Sequence, residues 1–216
     1  MKTAFIKRSG ILLLILLSLM SCDKRKNPEN IQVKDSGKNS PGILSSEKDS
    51  LRSNFQELEE LGLKIAQSSQ AELGKNLIQQ LEKKGVSGAL EFCHIQAIPL
   101  TDSMAVVHAA KIKRVSDKPR NPDNRANPEE VAVISTFKNQ LKKGEDIKPV
   151  ILESASQTDF YSPIITNAMC LMCHGKPGEE LEKTNLSQIK KLYPQDQAIN
   201  YEANQIRGAW HVQFKK

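Results

Sequence analysis

Cys170, Cys173 and His174 stand together as Cys-Leu-Met-Cys-His. Two thiols three positions apart suit addition to the two vinyl groups of one porphyrin. A histidine directly after the second thiol reaches the iron from one face of the ring. The spacing predicts one covalent c-type haem held by Cys170, Cys173 and His174. The rival chemistry is a zinc site, because the same three side chains with Cys93 would complete a Cys3His tetrahedron. No second Cys-x-x-Cys-His and no internal repeat is present.

Iron in a haem has a sixth position, and the chain offers Cys93, His94, His108, Met104 and His211 for it. A thiolate stabilises ferric iron and lowers the reduction potential, whereas methionine raises it. Cys93 lies in an apolar helical context with Phe92 and Ile95, which suits burial against a ring face; its bland alternative is a small core residue. His94 points about 100° away from Cys93 on a helix and is expected to face solvent. Arg120, Asn121 and Asn124 occupy a Pro/Asn-rich loop. Arg120 either pairs with a haem propionate or belongs to a loop held by Asx turns. Tyr161 and Tyr193 are weaker candidates for the haem edge.

Covalent haem attachment in bacteria takes place outside the cytoplasm, and the N-terminus predicts export. Lys2, Lys7 and Arg8 precede an Ile/Leu run from Ile11 to Leu17. That run is too short to span a bilayer and fits the apolar region of a signal peptide. It ends in Leu19-Met20-Ser21-Cys22, a lipobox-like sequence that predicts residues 1–21 as a lipoprotein leader and Cys22 as the lipidated residue. Acyl chains on Cys22 would tether the chain to a bacterial membrane, facing the periplasm or the outside, without a transmembrane helix. Of the four cysteines, Cys93 is then the one left without an assignment, as a ligand or reactive thiol.

The 31 basic and 25 acidic residues give a net charge of +6. Three of the basic residues fall in the leader, so the remainder carries +3. No basic stripe with interleaved aromatics is present, which argues against a nucleic-acid partner.

Residues 22–49, rich in Lys, Ser, Asn, Gly and Pro, read as a flexible tether. Residues 50–216 are enough for one core. Ser50 is a helix cap candidate. Leu51, Phe55, Leu58, Leu61, Ile65, Leu73, Leu77 and Leu81 recur at helical spacing, predicting one long helix, or two broken near Ser68-Ser69, ending at Lys84-Gly85. Its stripe would cover a sheet or pair with a second copy in a homodimer. A second helix follows over residues 88–110, with Pro99 expected to break or kink it. Residues 111–116 alternate as a strand and 117–128 form a loop. Pro128-Glu129-Glu130 opens a helix to about Lys143. Residues 149–152 and 160–165 read as a hairpin, 178–192 as a helix, and 208–214 as a terminal strand on which one of Trp210 and His211 lines the core. Helices first, then mixed strands and helices, predict an α+β fold rather than an all-helical cytochrome.

Several stretches together resemble a known family: Glu91-Phe92-Cys93, the run Arg114-Val115-Ser116-Asp117-Lys118-Pro119-Arg120-Asn121-Pro122-Asp123-Asn124, the haem motif with Gly175, Tyr193-Pro194-Gln195-Asp196-Gln197-Ala198, and Gly208-Ala209-Trp210-His211-Val212. In these the chain is similar to the Tll-like c-type haem domain family over roughly residues 50–216. The resemblance implies a PAS-like fold: an antiparallel sheet flanked by helices, with a long N-terminal helix. It also implies an iron held by His174 on one side and Cys93 on the other. The chain departs from the family pattern in having His94 where Asn is more usual, and Asn200 where Gly is common.

The expected function is a redox or small-gas sensing domain, with an electron carrier at the membrane surface as the alternative. No output segment follows residue 216, so a signalling or redox partner would be a separate protein. No distal acid–base pair for an enzyme can be placed.

Overall fold

The structure, a computed structural model, describes residues 45–215. The leader, Cys22 and most of the tether lie outside the described residues. The elements run α1 (Ser45–Val107), β1 (Lys111–Val115), a short 3-10 turn (Pro122–Asn124), α2 (Pro128–Lys143), β2 (Val150–Glu153), β3 (Gln157–Ile165), α3 (Ala168–His174), α4 (Lys183–Leu192) and β4 (Ile206–Lys215). The four strands form one sheet in the order β1-β4-β3-β2, and every neighbouring pair is antiparallel. This is the α+β, PAS-like arrangement expected from the sequence.

Alternation along β4 decides what each face of the sheet meets. Trp210 and Val212 point to one face with Phe160 and Ile112, where Ile65 and Ala66 of α1 cover them. Gly62 lets the helix come this close, since a Cβ there would lie 2.3 Å from Phe160 Cγ. Ala209 points to the other face with Val115 and Tyr161, under Val133, Ile134 and Phe137 of α2. Both Trp210 and His211 are enclosed, one on each face. At Gly208 a Cβ would sit 2.2 Å from the Val115 carbonyl oxygen, so β1 and β4 approach closely only because that side chain is missing.

α2 follows its sequence signals closely. Asn127 accepts the Glu130 amide, Glu130 returns a bond to the Asn127 amide, and Gly144 closes the helix in the left-handed region at φ 69.

α1 takes the unbroken one of the two readings offered at Ser68-Ser69 and departs from expectation at Pro99 and Ser50. It runs through Ser68-Ser69, where Ser69 is buried and Ser68 Oγ bonds the Ile65 carbonyl. It runs through Pro99 as well; close by, Thr101 Oγ1 and Arg114 Nη2 both donate to the Ala97 carbonyl at 2.8 and 3.2 Å. Ser50 lies inside the helix rather than capping it. The real interruption is Gly85, at φ 65 and ψ −165, a combination essentially confined to glycine. α4 also begins five residues later than expected, behind the 176–182 turn.

On the α2 face, His211 is clamped between two carboxylates. Its Nδ1 lies 3.0 Å from Glu130 Oε1 and its Nε2 2.8 Å from Asp159 Oδ1. Tyr161 stacks on it at 4.4 Å. Lys113 of β1 reaches Glu130 at 3.8 Å, Gln213 donates to Asp159, and Glu129 accepts from the Tyr161 hydroxyl. Burial opposes a charge on His211, but the bonds to Glu130 and Asp159 outweigh it and raise its pKa. Burial likewise opposes ionisation of Glu130 and Asp159. The hydrogen bonds from His211, Gln213 and the Asn127 amide prevail and hold both carboxyls below their usual range.

The raised imidazole stabilises the fold fully below about pH 6.5 and loses that contribution as pH rises through its folded value. The depressed carboxylates stabilise above about pH 4 and lose their contribution as pH falls through theirs. The melting temperature is therefore expected to peak between about pH 4.5 and 6.5 and to decline on the alkaline side. His211→Gln should lower stability by on the order of 2 kcal/mol at pH 6 and flatten that alkaline decline. An unchanged slope in the variant's melting curves from pH 6 to 9 would show that another group carries it.

Candidate functional site

α3 places Cys170, Cys173 and His174. Asn167 caps it, accepting the Cys170 amide at 3.2 Å and lying 3.2 Å from Cys170 Sγ. The three-residue spacing puts both thiols on one side of the helix. Gly175 ends it, and a Cβ there would lie 2.6 Å from the Leu171 carbonyl oxygen.

A helix end leaves carbonyls without partners, and here the 196–201 segment and Arg120 supply them. Arg120 Nη2 donates to the Cys173 carbonyl at 2.6 Å, the Tyr201 amide to that of His174 at 2.9 Å, and the Asn200 amide to that of Gly175 at 3.0 Å. Asn200 sits in the left-handed region at φ 63, the conformation that glycine and asparagine tolerate best.

The His174 ring is oriented by its Nδ1–H, which donates to the Ala198 carbonyl at 2.7 Å. That bond places the proton on Nδ1 and leaves the Nε2 lone pair available as a donor to a metal. Burial pushes the imidazole pKa well below its ordinary value, and the fields of Arg120 and Arg207 add to this, so the neutral, ligating form is favoured. Tyr201 packs edge-on against the ring at 6.2 Å.

Arg120 is almost fully buried. Its Nε lies 3.2 Å from Asp196 Oδ1, and its Nη2 lies 3.3 Å from Asp196 Oδ2 and 3.1 Å from the Ala198 carbonyl. It thus clasps the motif helix and the 196–198 loop together. Asn121 Oδ1 accepts the Asp123 amide at 3.0 Å, an Asx turn at the head of the 3-10 segment.

Cys93, from the second part of α1, faces this assembly. Burial raises its thiol pKa against the opposing fields of Arg114 and Arg120. Burial pushes the Cys173 thiol up to about 11; Arg120 opposes this, while Cys93 and Cys170 reinforce it, so the thiols are close enough to feel one another. All three are free thiols. His94 is exposed and meets Tyr193 edge-on at 5.0 Å. A cavity of about 610 Å³ opens beside it, lined among others by Ile95, Ile98, Asn121, Leu192 and Tyr193.

The other residues weighed for the sixth position are committed elsewhere. His108 Nε2 bonds Ser68 at 2.8 Å, Met104 packs against the Trp210 cluster, and His211 is held by Glu130 and Asp159. Tyr161 is also remote from the motif, on the α2 face against His211, because its place on β3 turns it away from α1. Among the described residues no three His, Cys, Asp or Glu side chains are grouped to hold a metal ion. No described helix is long and apolar enough to cross a membrane.

Sequence reasoning assigned no role to Arg114, Asp196, Ala198 or Tyr201. Arg114 and Asp196 lie within the runs that carried the family resemblance, which was the available signal. The Ala198 contribution is a backbone carbonyl, which no side-chain pattern announces.

A family model described as Tll0287-like matches residues 33–214. No curated protein matches the chain. The crystal structure of the cyanobacterial heme-protein Tll0287 aligns with 80% of this chain and 96% of its own at 18% identity, with a TM-score of 0.47.

Proposed function

The chain belongs to the Tll0287-like family, and from that premise we propose that it carries one covalent haem c on Cys170, Cys173 and His174. The observation that carries the reading is the His174 ring: its Nδ1–H is fixed on the Ala198 carbonyl and its Nε2 lone pair is kept free beside two unpaired thiols. Cys170 and Cys173 would hold the haem covalently, each by adding its S–H across one vinyl C=C with no leaving group, and His174 and Cys93 would be the residues that hold the iron. The haem supplies reversible one-electron chemistry and a binding position for small ligands.

The residues of this chain do the rest. Asn167 and Gly175 set the ends of the motif helix. Arg120 and Asp196 hold its last turn. Ala198 fixes the imidazole tautomer, and Arg114 lies in the field of the Cys93 thiol. The proposed role is a redox or small-gas sensing domain, exported and lipid-anchored through Cys22, that performs no catalytic turnover. An electron carrier at the membrane surface is the second reading. The buried Arg120–Asp196 clasp favours it, since a rigidly held ligand reorganises little.

Optical and EPR spectra of ferric and ferrous holoprotein test this, with Cys93→Ala and His94→Ala beside wild type. A low-spin thiolate signature lost only in Cys93→Ala is the expected result, and its disappearance on reduction together with CO binding would favour sensing. A bis-histidine or His/Met spectrum unchanged by Cys93→Ala would remove Cys93 from the iron and favour the electron carrier.

A further inference from the structure

We infer that Arg120 is a positioning residue that raises the reduction potential of the site by sharing one backbone carbonyl with the iron-ligating histidine. The inference rests on the haem reading above and adds a tuning element to it.

The Ala198 carbonyl oxygen accepts from two donors, His174 Nδ1–H at 2.7 Å and Arg120 Nη2 at 3.1 Å. A carbonyl oxygen has two lone pairs, so it accepts from both, with the two Arg120 Nη2 hydrogens shared among the Ala198 and Cys173 carbonyls and Asp196. Each donor draws electron density from the oxygen, and the cationic one draws more. The carbonyl is thereby a weaker acceptor for the imidazole than it would be alone. An imidazole with a weaker acceptor at Nδ1 is a poorer electron donor through Nε2. Ferric iron gains most from a strong donor, so the shared carbonyl disfavours the ferric state.

The charge of the guanidinium acts with the same sign. Arg120 and Asp196 are nearly buried, with side-chain exposures of 9% and 7%, where fields are screened far less than at the surface. Asp196 opposes Arg120 and is tied to the same peptide segment, since its Oδ1 accepts the Ala198 amide at 2.8 Å. Other charged side chains also reach this assembly, among them Arg207, which depresses the His174 pKa, Arg114, which acts on Cys93, and Lys118, over the Tyr201 ring. Arg120 and Asp196 thus form an opposed pair: removing the cation makes the potential more negative, and removing the anion makes it more positive.

Opposite signs separate tuning from damage, because a merely structural lesion at either residue would loosen the same loop and move the potential the same way. Spectroelectrochemical titration of purified holoprotein is the test, on wild type, Arg120→Gln, Arg120→Lys and Asp196→Asn. At the potential where wild type is half reduced, Arg120→Gln is expected to be ferric by about tenfold, equivalent to about 59 mV for one electron. Arg120→Lys should shift less in the same direction, and Asp196→Asn should be ferrous in excess. Shifts of one sign in both families, or unmoved potentials with native spectra, would overturn the inference. If neither Arg120 variant takes up haem, Asp196→Asn decides alone, and an unchanged or more negative potential refutes it. Wild type that takes up no haem refutes the underlying reading before any variant is made. Unmoved potentials in intact holoprotein refute only the role of Arg120.

Discussion

Replacing His174 by glycine is expected to cut the haem bound per chain by at least about tenfold while leaving the haem-free fold in place. Loss of an outer hydrogen-bond partner of a metal ligand already costs about 10–100-fold in metal affinity or activity, and loss of the ligand itself costs no less. The fold should survive because the His174 side chain contributes a single hydrogen bond, to Ala198, worth on the order of 1 kcal/mol. The backbone bond from Tyr201 to residue 174 does not depend on the side chain. Haem per chain from the pyridine haemochrome spectrum, read beside far-UV circular dichroism and thermal melting, checks both halves. An unchanged haem content would mean that another group holds the iron. A collapsed dichroism spectrum would mean that His174 is a structural residue first.

The largest purely structural effect is expected at Phe160. It has no solvent exposure, packs with Ile65, Ala66, Trp210 and Val212, and lies under Gly62 where α1 crosses the sheet. Phe160→Ala removes a ring that a rigid helix-on-sheet contact cannot collapse to refill, so about 3–5 kcal/mol should be lost. For a domain of this size that corresponds to a fall in melting temperature of about 10 °C. Val131→Ala, on the exposed side of α2, is the matched control and should stay within about 0.5 kcal/mol. Equal losses in the two variants would contradict the assignment of α1 to this face of the sheet.

Local signals were legible wherever one residue type answered one physical demand. Asn127, Pro128, Glu130 and Gly144 delimit α2 because caps and dipoles act within a turn. The alternation of β4 placed its strand, yet it did not say which of Trp210 and His211 was enclosed, because both are. The answer depended on Asp159 and Glu130, 52 and 81 residues away. Pro99 misled for a related reason: the helix around it is held by long-range contacts, among them the bond from Arg114 of the following strand to the Ala97 carbonyl. The motif cysteines and His174 announced themselves through covalent spacing, and the Arg114–Asn124 run through resemblance. Arg120 was legible as a candidate for a haem propionate or for the loop, but its clasp was not, since its partners are Asp196 and two carbonyls that only the folded chain brings within reach. Gly85 read as the end of one helix, with a second beginning a few residues later. The structure keeps the two nearly continuous and concentrates the break in a single residue.

That break makes α1 two struts in series rather than one shaft. Tension or twist arriving along the first strut is borne where Ile65 and Ala66 rest on Trp210, ahead of the joint where the backbone of Gly85 leaves the helical region. The strut beyond, with Cys93 on it, is held independently by Leu90 against Leu181 and Ile189. Cys93 therefore takes its position from the packing of the second strut and not from the seat of the first strut on the sheet.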